Sequence, residues 1–416
     1  MKRAHTVLLA LAAALALPVV LAVETSPMLP LNGAPDATQV RAGQENYRRL
    51  RDALAGPPPT VEVRLTDADA RAVATLAGNA LRFRRVDASV AADHAGAAVS
   101  VALPFGLWLN ARVDAWPSDG FPTLTAKVGD LPIPAFLTRF GLETVAQLLR
   151  WRGHDLPQLA DLVRGFDVVD GTLKVTVKSP VLGTGIADSL VGIASDPADG
   201  ARTATIYCAL VAAETAAPQR DLALHLTRAM AMARPATPAA AVAENRAALV
   251  AVAMLAVGPR AGRLAIDAGR RVAACRQQQD PPMLAGRTDL AKHWSLSAAL
   301  GATVGDDVSE AMGNWKELSD SLPGGSGFSL VDLAADRAGL AVGGAAVDAD
   351  RALAFRAEMA AATNATLLPL DATALAEGMS NDQFKQRYGT IESADYRAAT
   401  AGIDALLRRR GVLGSR

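Results

Sequence analysis

The side chains best suited to chemistry are concentrated between residues 287 and 339. They form three pairs whose members are three or four positions apart, a spacing that places both members on one face of a helix. The pairs are Asp289 with His293, Glu317 with Asp320, and Asp332 with Asp336. If the three helix faces meet, five carboxylates and one imidazole converge on one place.

Such a cluster cannot be buried as bare charge, because repulsion and desolvation would cost several kcal/mol. One resolution is a divalent metal ion, for which all six residues are candidate ligands. A metal with an open coordination position would activate water, with His293, Glu317 and Asp336 as candidate catalytic groups. A second resolution is a structural ion-pair network, and in a third the residues stay exposed and never meet. The cationic partners available to such a network are Arg287, Lys292, Lys316 and Arg337.

Helix capping accounts for part of this pattern without any function. Thr288 can cap the helix that carries Asp289, and Ser329 followed three positions later by Asp332 has the spacing of a capping box. Capping explains His293, Glu317 and Asp336 least. These three residues are therefore the strongest site candidates.

The same segment reads KH, then KE-x-x-D, then GSGFS-x-x-DLAADRAG. This pattern resembles an uncharacterised family of proteobacterial envelope proteins and, more distantly, YfiM-like lipoproteins and VanZ-like proteins. The matching positions are Lys292, His293, Lys316, Glu317, Asp320, Asp332, Asp336 and Gly339. The resemblance supplies no activity. It implies that the segment is a unit and that the protein belongs to the cell envelope.

The elements that must position these residues are helices. Helical periodicity dominates residues 200–416, and Gly or Pro marks the connections, which predicts an Ala-rich helical bundle. We predict helices at residues 204–215, 220–233, 238–257, 262–276, 289–304, 307–322, 329–340, 350–361 and 396–410.

Residues 60–180 have a different pattern, alternating as half-buried strands do. We predict strands at residues 61–65, 86–90, 98–103, 107–115, 124–128 and 172–177, with helices at 66–79 and 134–151. The predicted fold class is α+β, an N-terminal antiparallel sheet with helices followed by the helical bundle.

Two short motifs in the β-rich region resemble tubular lipid-binding folds of bacterial envelope proteins. They are the helix start at Leu65, Thr66 and Asp69 and the VG-x-LPIP corner that ends at Pro134. The resemblance implies a curved sheet around a groove lined by Val, Leu and Phe. The alternative is an antiparallel sheet packed on helices with a filled core.

The chain begins with features of an export signal. Lys2 and Arg3 precede an uncharged apolar run at residues 7–23, which is either a signal peptide cleaved near Ala22 or a retained membrane anchor. Other apolar stretches, such as residues 247–257, are too short to span a bilayer. We expect residues 23–59 to form a tether and a short helix. These features predict a periplasmic protein, either free or attached to the inner membrane through residues 7–23.

The two cysteines, Cys208 and Cys275, allow two interpretations. In an oxidising compartment they can form a disulfide, and otherwise they are separate buried thiols. Lys and Arg number 42, as do Asp and Glu, which gives no electrostatic case for nucleic-acid binding.

Three classes of function remain. The first is a binding or structural envelope protein whose N-terminal sheet holds a lipid or another envelope component. The second is a metal-dependent hydrolase that acts on an envelope polymer or lipid through residues 289–336. The third is a scaffold in which the acidic cluster only ties helices together. We favour the first.

Overall fold

The computed structural model of the chain describes residues 21–33, 35–54, 60–80, 85–151, 158, 161, 163–178, 197–265, 268–275, 280–304 and 306–409. The chain forms two compact units, apart from two short segments. The sheet unit lies before Ile186, and the helical unit follows from that residue. The predicted α+β fold class is confirmed. Residues 1–20, which contain most of the predicted signal or anchor, lie outside the described residues.

The described part of the sheet unit contains strands and three long helices. The strands are β1 Val23–Glu24, β2 Thr60–Thr66, β3 Val86–Val90, β4 Ala95–Ala102, β5 Trp108–Trp116, β6 Thr123–Val128, β7 Leu131–Ile133, β8 Val163–Val169 and β9 Thr172–Lys178; the helices are α1 Ala37–Leu54, α2 Asp67–Ala80 and α3 Ala135–Trp151. One antiparallel sheet has the order β3-β4-β5-β6-β7, with β1 paired to β5, and the other has the order β2-β9-β8. Alternation in the sequence predicts most of these strands.

The two sheets share a small apolar core. Val90 of β3 packs with Phe166, Val168 and Leu173 of the three-stranded sheet. Phe166, Val168 and Leu173 belong to the β8–β9 hairpin, whose turn is at Asp170-Gly171. Both turn residues have positive φ, as a type I′ turn requires. The strand predicted at residues 172–177 is β9, whereas β8 was not predicted, although it also alternates.

A pocket in this unit has a volume of about 120 Å³, and its walls include Asp87, Ser89 and Arg112. It is smaller and more polar than a site for an acyl chain, which needs roughly 300 Å³ or more. The apolar groove therefore stays a prediction that this pocket does not support.

Residues 23–32, expected to be part of a free tether, are bound to the larger sheet. Val23 pairs with Leu109, and the backbone N–H of Met28 donates to the Asn110 side chain at 3.0 Å. The side chain of Asn32 donates to the carbonyl of Val86 at 2.8 Å. Pro and Gly composition, from which the tether was predicted, does not reveal such partners distant in sequence.

The helical unit consists of helices joined by short turns. Its α-helices are α4 Pro197–Ala216, α5 Leu222–Ala231, α6 Pro238–Val257, α7 Ala268–Arg271, α8 Thr288–Thr303, α9 Asp306–Asp320, α10 Leu330–Val347, α11 Ala352–Met359, α12 Asn364–Leu367, α13 Asn381–Tyr388 and α14 Ala394–Arg409. The single helix predicted at residues 262–276 is wrong. A 3-10 helix at Pro259–Ala265, the short α7 and a second 3-10 turn at Ala273–Cys275 occupy that region.

Helix α6 is the centre of this unit. It packs against α4, α8 and α10, and residues 247–254 are all buried. Among the described residues it is the one helix long and apolar enough to cross a membrane. Residues 247–257 are too short by themselves to span a bilayer, but they are only part of this 20-residue helix. Burial on most sides is equally the property of a core helix.

Cys208 of α4 and Cys275 form a disulfide that joins positions 67 residues apart in the chain. The bond fastens the 3-10 turn at Ala273–Cys275 to α4. Of the two interpretations that the sequence leaves open, the structure has the paired one.

Candidate functional site

Close helix packing brings the predicted site together. Helices α8 and α10 make the most extensive contact in the chain, because glycines on α10 let the two backbones approach. A methyl group at Gly339 would overlap the carbonyl oxygen of Trp294, and one at Gly343 would overlap that of Ala298. This approach places His293 of α8 directly against Asp336 of α10.

His293 lies between two carboxylates. Its Nδ1 is 3.1 Å from both oxygens of Asp336, and its Nε2 is 3.3 Å from Oδ2 of Asp332. Ser297, one turn after His293 on α8, donates to Asp336 at 2.7 Å. All four residues are buried. The imidazole therefore bridges the two acidic residues that α10 presents on one face.

Glu317 of α9 completes the buried cluster, with no exposed surface. Its Oε2 accepts the backbone N–H of Ser329 at 2.8 Å, and its Oε1 accepts from Nζ of Lys316 at 2.9 Å. Lys316 also donates to Asp320 at 2.8 Å. Glu317 thus ties α9 to the N-terminus of α10, where Ser329 caps the helix through the N–H of Asp332, as its spacing predicts.

The surroundings change the charge states of these groups. Burial opposes a charged His293, but hydrogen bonds to Asp332 and Asp336 outweigh it and raise the pKa of His293 to about 10. Burial raises the pKa of Glu317 to about 7, against the opposing effect of Lys316. Burial would also raise the pKa of Asp332, but the hydrogen bond with His293 prevails and lowers it. At neutral pH the imidazole is therefore positively charged.

One buried atom of the cluster has no hydrogen-bond partner within the described part of the chain. Asp332 Oδ1 is fully enclosed, and Nη2 of Arg287 is 3.8 Å away from it. An unpaired carboxylate oxygen in a buried position is costly, so it marks a place where a further positive group or donor would bind favourably.

Two predicted site residues lie at the edge of this cluster. Asp289 is half-exposed and held by Arg287, with 2.6 Å between Nη2 and Oδ2. Asp320 is bonded to Lys316. Arg337, proposed as a partner of the cluster, instead binds Asp404 at 2.6 Å through both Nε and Nη2. The cluster thus keeps His293, Glu317, Asp332 and Asp336 at its centre.

His293, Glu317 and Asp336 could hold a metal ion. Each offers one ligand atom, the three atoms lie within 4.8 Å of one another, and all three residues are buried. One nitrogen and two carboxylate oxygens form a ligand set that several divalent transition metals accept.

An open pocket of about 570 Å³ lies beside the cluster. Its lining residues are Arg287, Asp289, Lys292, His293, Lys316, Ser326, Gly327, Ser329, Asp332, Glu377 and Gly378. Most of the lining residues are charged or carry a hydroxyl group, and none has a large apolar side chain, so the pocket suits a polar or charged molecule better than an acyl chain. The pocket connects His293 and Asp332 to the surface.

Sequence reasoning missed three contributors to this site. Ser297 supports Asp336, the backbone N–H of Ser329 binds Glu317, and Glu377 holds Arg287 at 2.9 Å on the pocket wall. Ser297 had a usable signal, because it lies four positions after His293 on the same helix face. The contact of Glu377 with Arg287 spans 90 positions of sequence, and no rule of local spacing predicts it.

Comparisons of the chain with protein-family models, with curated proteins and with solved structures found no match. The candidate site therefore stands on its own geometry.

Proposed function

We propose that the helical unit binds a divalent metal ion through His293, Glu317 and Asp336. The observation that carries the proposal is the convergence of one imidazole and two carboxylates from three helices, with their ligand atoms within 4.8 Å of one another. Metal sites in helical bundles are built in this way, from inward-facing carboxylate and histidine side chains.

The charge balance of the cluster supports a bound cation. Three buried carboxylates, Glu317, Asp332 and Asp336, face the cationic groups His293 and Lys316, and Arg287 is 3.8 Å from Asp332. Ligation needs Glu317, whose pKa is about 7, in its charged form and His293 in its neutral form, and in that state the carboxylates outnumber the cations Lys316 and Arg287. Asp332, whose Oδ1 has no hydrogen-bond partner within the described part of the chain, is also one of the residues that line the pocket. A divalent ion would compensate the excess negative charge, and its binding would involve little rearrangement of α8, α9 and α10.

A metal must compete with a proton for His293. The imidazole that bridges Asp332 and Asp336 holds its proton up to a pH of about 10. Ligation requires the neutral form, so metal binding releases that proton and becomes stronger as the pH rises. The ion-pair network and the metal site are then two states of the same residues, with a proton in one and a metal ion in the other.

The test is equilibrium dialysis of the full chain against Zn²⁺ and Mn²⁺, followed by metal analysis. We expect one ion per chain, and at least a tenfold loss of affinity in His293→Ala and in Asp336→Asn. Asp199→Asn is the matched control, since Asp199 is a buried carboxylate paired with Arg202 and Arg246. Absence of stoichiometric metal in the wild type, or equal binding in the His293→Ala variant, would refute the proposal.

The pocket favours a second candidate, a metal-dependent hydrolase. A metal at His293 with an open position toward this space would lower the pKa of a bound water and supply the nucleophile for hydrolysis. The cationic side chains Arg287, Lys292 and Lys316 on the walls suit an anionic substrate, such as a phosphate ester. Metal-loaded protein should then hydrolyse a chromogenic phosphate ester faster than the His293→Ala variant does. Equal rates would reject the hydrolase and leave metal binding intact.

We also propose that the protein works in the bacterial envelope, as the family resemblance implies. The charged and apolar N-terminal residues and the Cys208–Cys275 disulfide support export, since structural disulfides persist in oxidising compartments. Fractionation of a bacterial host that expresses the full chain tests this. We expect the protein outside the cytoplasm without free thiols, whereas reduced protein in the cytoplasm would contradict export.

A further inference from the structure

Helix α3 of the sheet unit is oriented contrary to the usual rule for a soluble protein. Its small residue Ala146 is buried, whereas several of its large apolar side chains are exposed. Phe136 is 70% exposed, Phe140 68% and Trp151 78%, with Leu137 and Leu148 nearly half exposed. A surface helix normally buries its apolar face and exposes its polar one.

Five of the exposed apolar residues form a stripe along one side of the helix. At about 100° per residue, Phe136, Phe140, Trp151, Leu137 and Leu148 fall within an arc of roughly 120°. The exposed Thr144 and Gln147 lie in the same arc, and Leu142, 40% exposed, lies outside it. Arg139 and Arg150 lie along one edge of this arc together with Glu143, which is 3.7 Å from Arg150. An apolar stripe with aromatic residues and flanking arginines is typical of helices that lie in the membrane interface.

The described end of the N-terminal apolar run, residues 21–23, lies near the same surface. The N–H of Asp130, in the turn between β6 and β7, donates to the carbonyl of Leu21 at 2.6 Å. Helix α3 begins two positions after β7 ends. An apolar segment of the chain therefore reaches the unit close to the start of the exposed stripe.

A third apolar group lies at the same end of the sheet. Phe105 occupies the turn between β4 and β5 and is 98% exposed, with a φ of 65° that a residue bearing a Cβ rarely adopts. The pairing of β5 with β4 and β6 puts this turn and the β6–β7 turn at one end of the sheet. The end thus combines Phe105, the segment at Leu21 and the start of α3.

We infer that this end of the sheet unit, with the α3 stripe, docks onto a lipid bilayer. The five side chains of the stripe expose roughly 600 Å² of apolar surface, which is less than the ~800 Å² that each partner buries in a standard protein interface. A bilayer has no such requirement, because each inserted aromatic residue adds to binding independently. The docking surface is distinct from the proposed metal site, which lies in the helical unit.

The experiment uses the full chain on vesicles of phosphatidylcholine and phosphatidylglycerol. Both native cysteines form the disulfide, so Phe140→Cys provides a single thiol for an environment-sensitive fluorophore. Control labels at Val73→Cys in the same unit and Leu370→Cys in the helical unit report other exposed apolar positions, 45% and 69% exposed. Comparison among labels separates α3 docking from attachment through residues 7–23 alone.

We expect the label at position 140 to shift its emission to the blue on vesicles, and lipid-borne quenchers to reduce it at least threefold more than the control labels. Phe136→Glu should abolish this difference while the far-UV circular dichroism spectrum stays unchanged. Equal quenching at positions 140, 73 and 370 would overturn the inference. A blue shift without lipid that grows with protein concentration would overturn it too, because it would identify α3 as a contact between two copies of the chain.

Discussion

The two units of this protein depart from ordinary patterning in opposite ways. The helical unit buries charge, with His293, Glu317 and Asp336 enclosed where three helices meet. The sheet unit instead exposes apolar surface, with Phe136 and Phe140 of α3 turned outward. Each departure costs stability or solubility by itself and becomes favourable with a partner, a cation for the first and a bilayer for the second. Local violations of patterning thus indicate where each unit interacts.

Removal of the central imidazole should have the largest effect on the helical unit. His293→Ala leaves Asp332 and Asp336 buried without a counter-charge, and we expect a loss of about 3–5 kcal/mol in the free energy of unfolding. Urea denaturation at pH 7 without metal measures it. The control is His225→Ala, because burial lowers the pKa of His225 and keeps that imidazole neutral. An equal loss in both variants would show that His293 acts only by packing.

The same imidazole makes stability depend on pH. The folded-state pKa of about 10 exceeds the unfolded value of 6.5, so this contribution is complete below pH 6.5 and disappears as the pH rises toward 10. We expect the wild type to lose on the order of 3 kcal/mol more than His293→Gln over that range. Urea titrations at intervals of one pH unit give both curves. Parallel curves would contradict the charged imidazole.

The raised pKa of Glu317 predicts a second pH range, lower than that of His293, in which the free energy of unfolding depends on pH. Its pKa is raised from 4.5 to about 7, so the folded state binds more protons between these values, and stability falls as the pH rises through them. Glu317→Gln should remove that part of the slope. If the stability of the Glu317→Gln variant keeps the same pH dependence, a group other than Glu317 titrates in this range.

Helix packing at α10 should have a smaller effect. Gly339→Ala forces a methyl group against the carbonyl oxygen of Trp294, and we expect a loss of about 1–3 kcal/mol. Gly402→Ala in α14 is the matched change, because its methyl group meets no atom within 4 Å, and it should stabilise the protein by about 0.5–1 kcal/mol. Thermal unfolding compares the two. Similar effects would mean that the close approach of α8 and α10 is not needed.

The smallest effect on stability belongs to the sheet unit. Phe140→Ser replaces a side chain that is already 68% exposed, so the free energy of unfolding should change by less than about 0.5 kcal/mol. Urea denaturation without lipid checks this value. A loss above 2 kcal/mol would show that Phe140 contributes to the core and would remove the contrast between the two units.

The sequence predicts regular elements where one rule dominates. Period-two alternation locates β2, β3 and β9, and helical period locates α6, α8 and α10. The expected cap of α8 by Thr288 is wrong, because Arg287 is the N-cap and makes no side-chain cap hydrogen bond. Prediction from sequence pattern fails where strand pairing depends on residues distant in sequence. An example is β1, which is two residues long and pairs with β5. The helix expected over residues 262–276 was also wrong, because Ala-rich composition suits several short helical turns as well as one helix.

The candidate site was predictable in its members but not in its roles. Spacing identified the three acidic and histidine pairs, because helical geometry fixes which residues share a face. It could not show that Asp289 turns to Arg287, that Arg337 binds Asp404, or that Ser297 supports Asp336. These partners depend on the rotation of each helix about its axis, which close packing at Gly339 and Gly343 determines.

The central claim is that His293, Glu317 and Asp336 exchange a proton for a metal ion. Calorimetric titration of the full chain with Zn²⁺ at pH 7.5, in two buffers of different ionisation enthalpy, measures both stoichiometry and proton release. The account predicts one ion bound per chain, with about one proton or more released, and no release in the His293→Ala variant. The absence of binding, or binding without proton release, would contradict it.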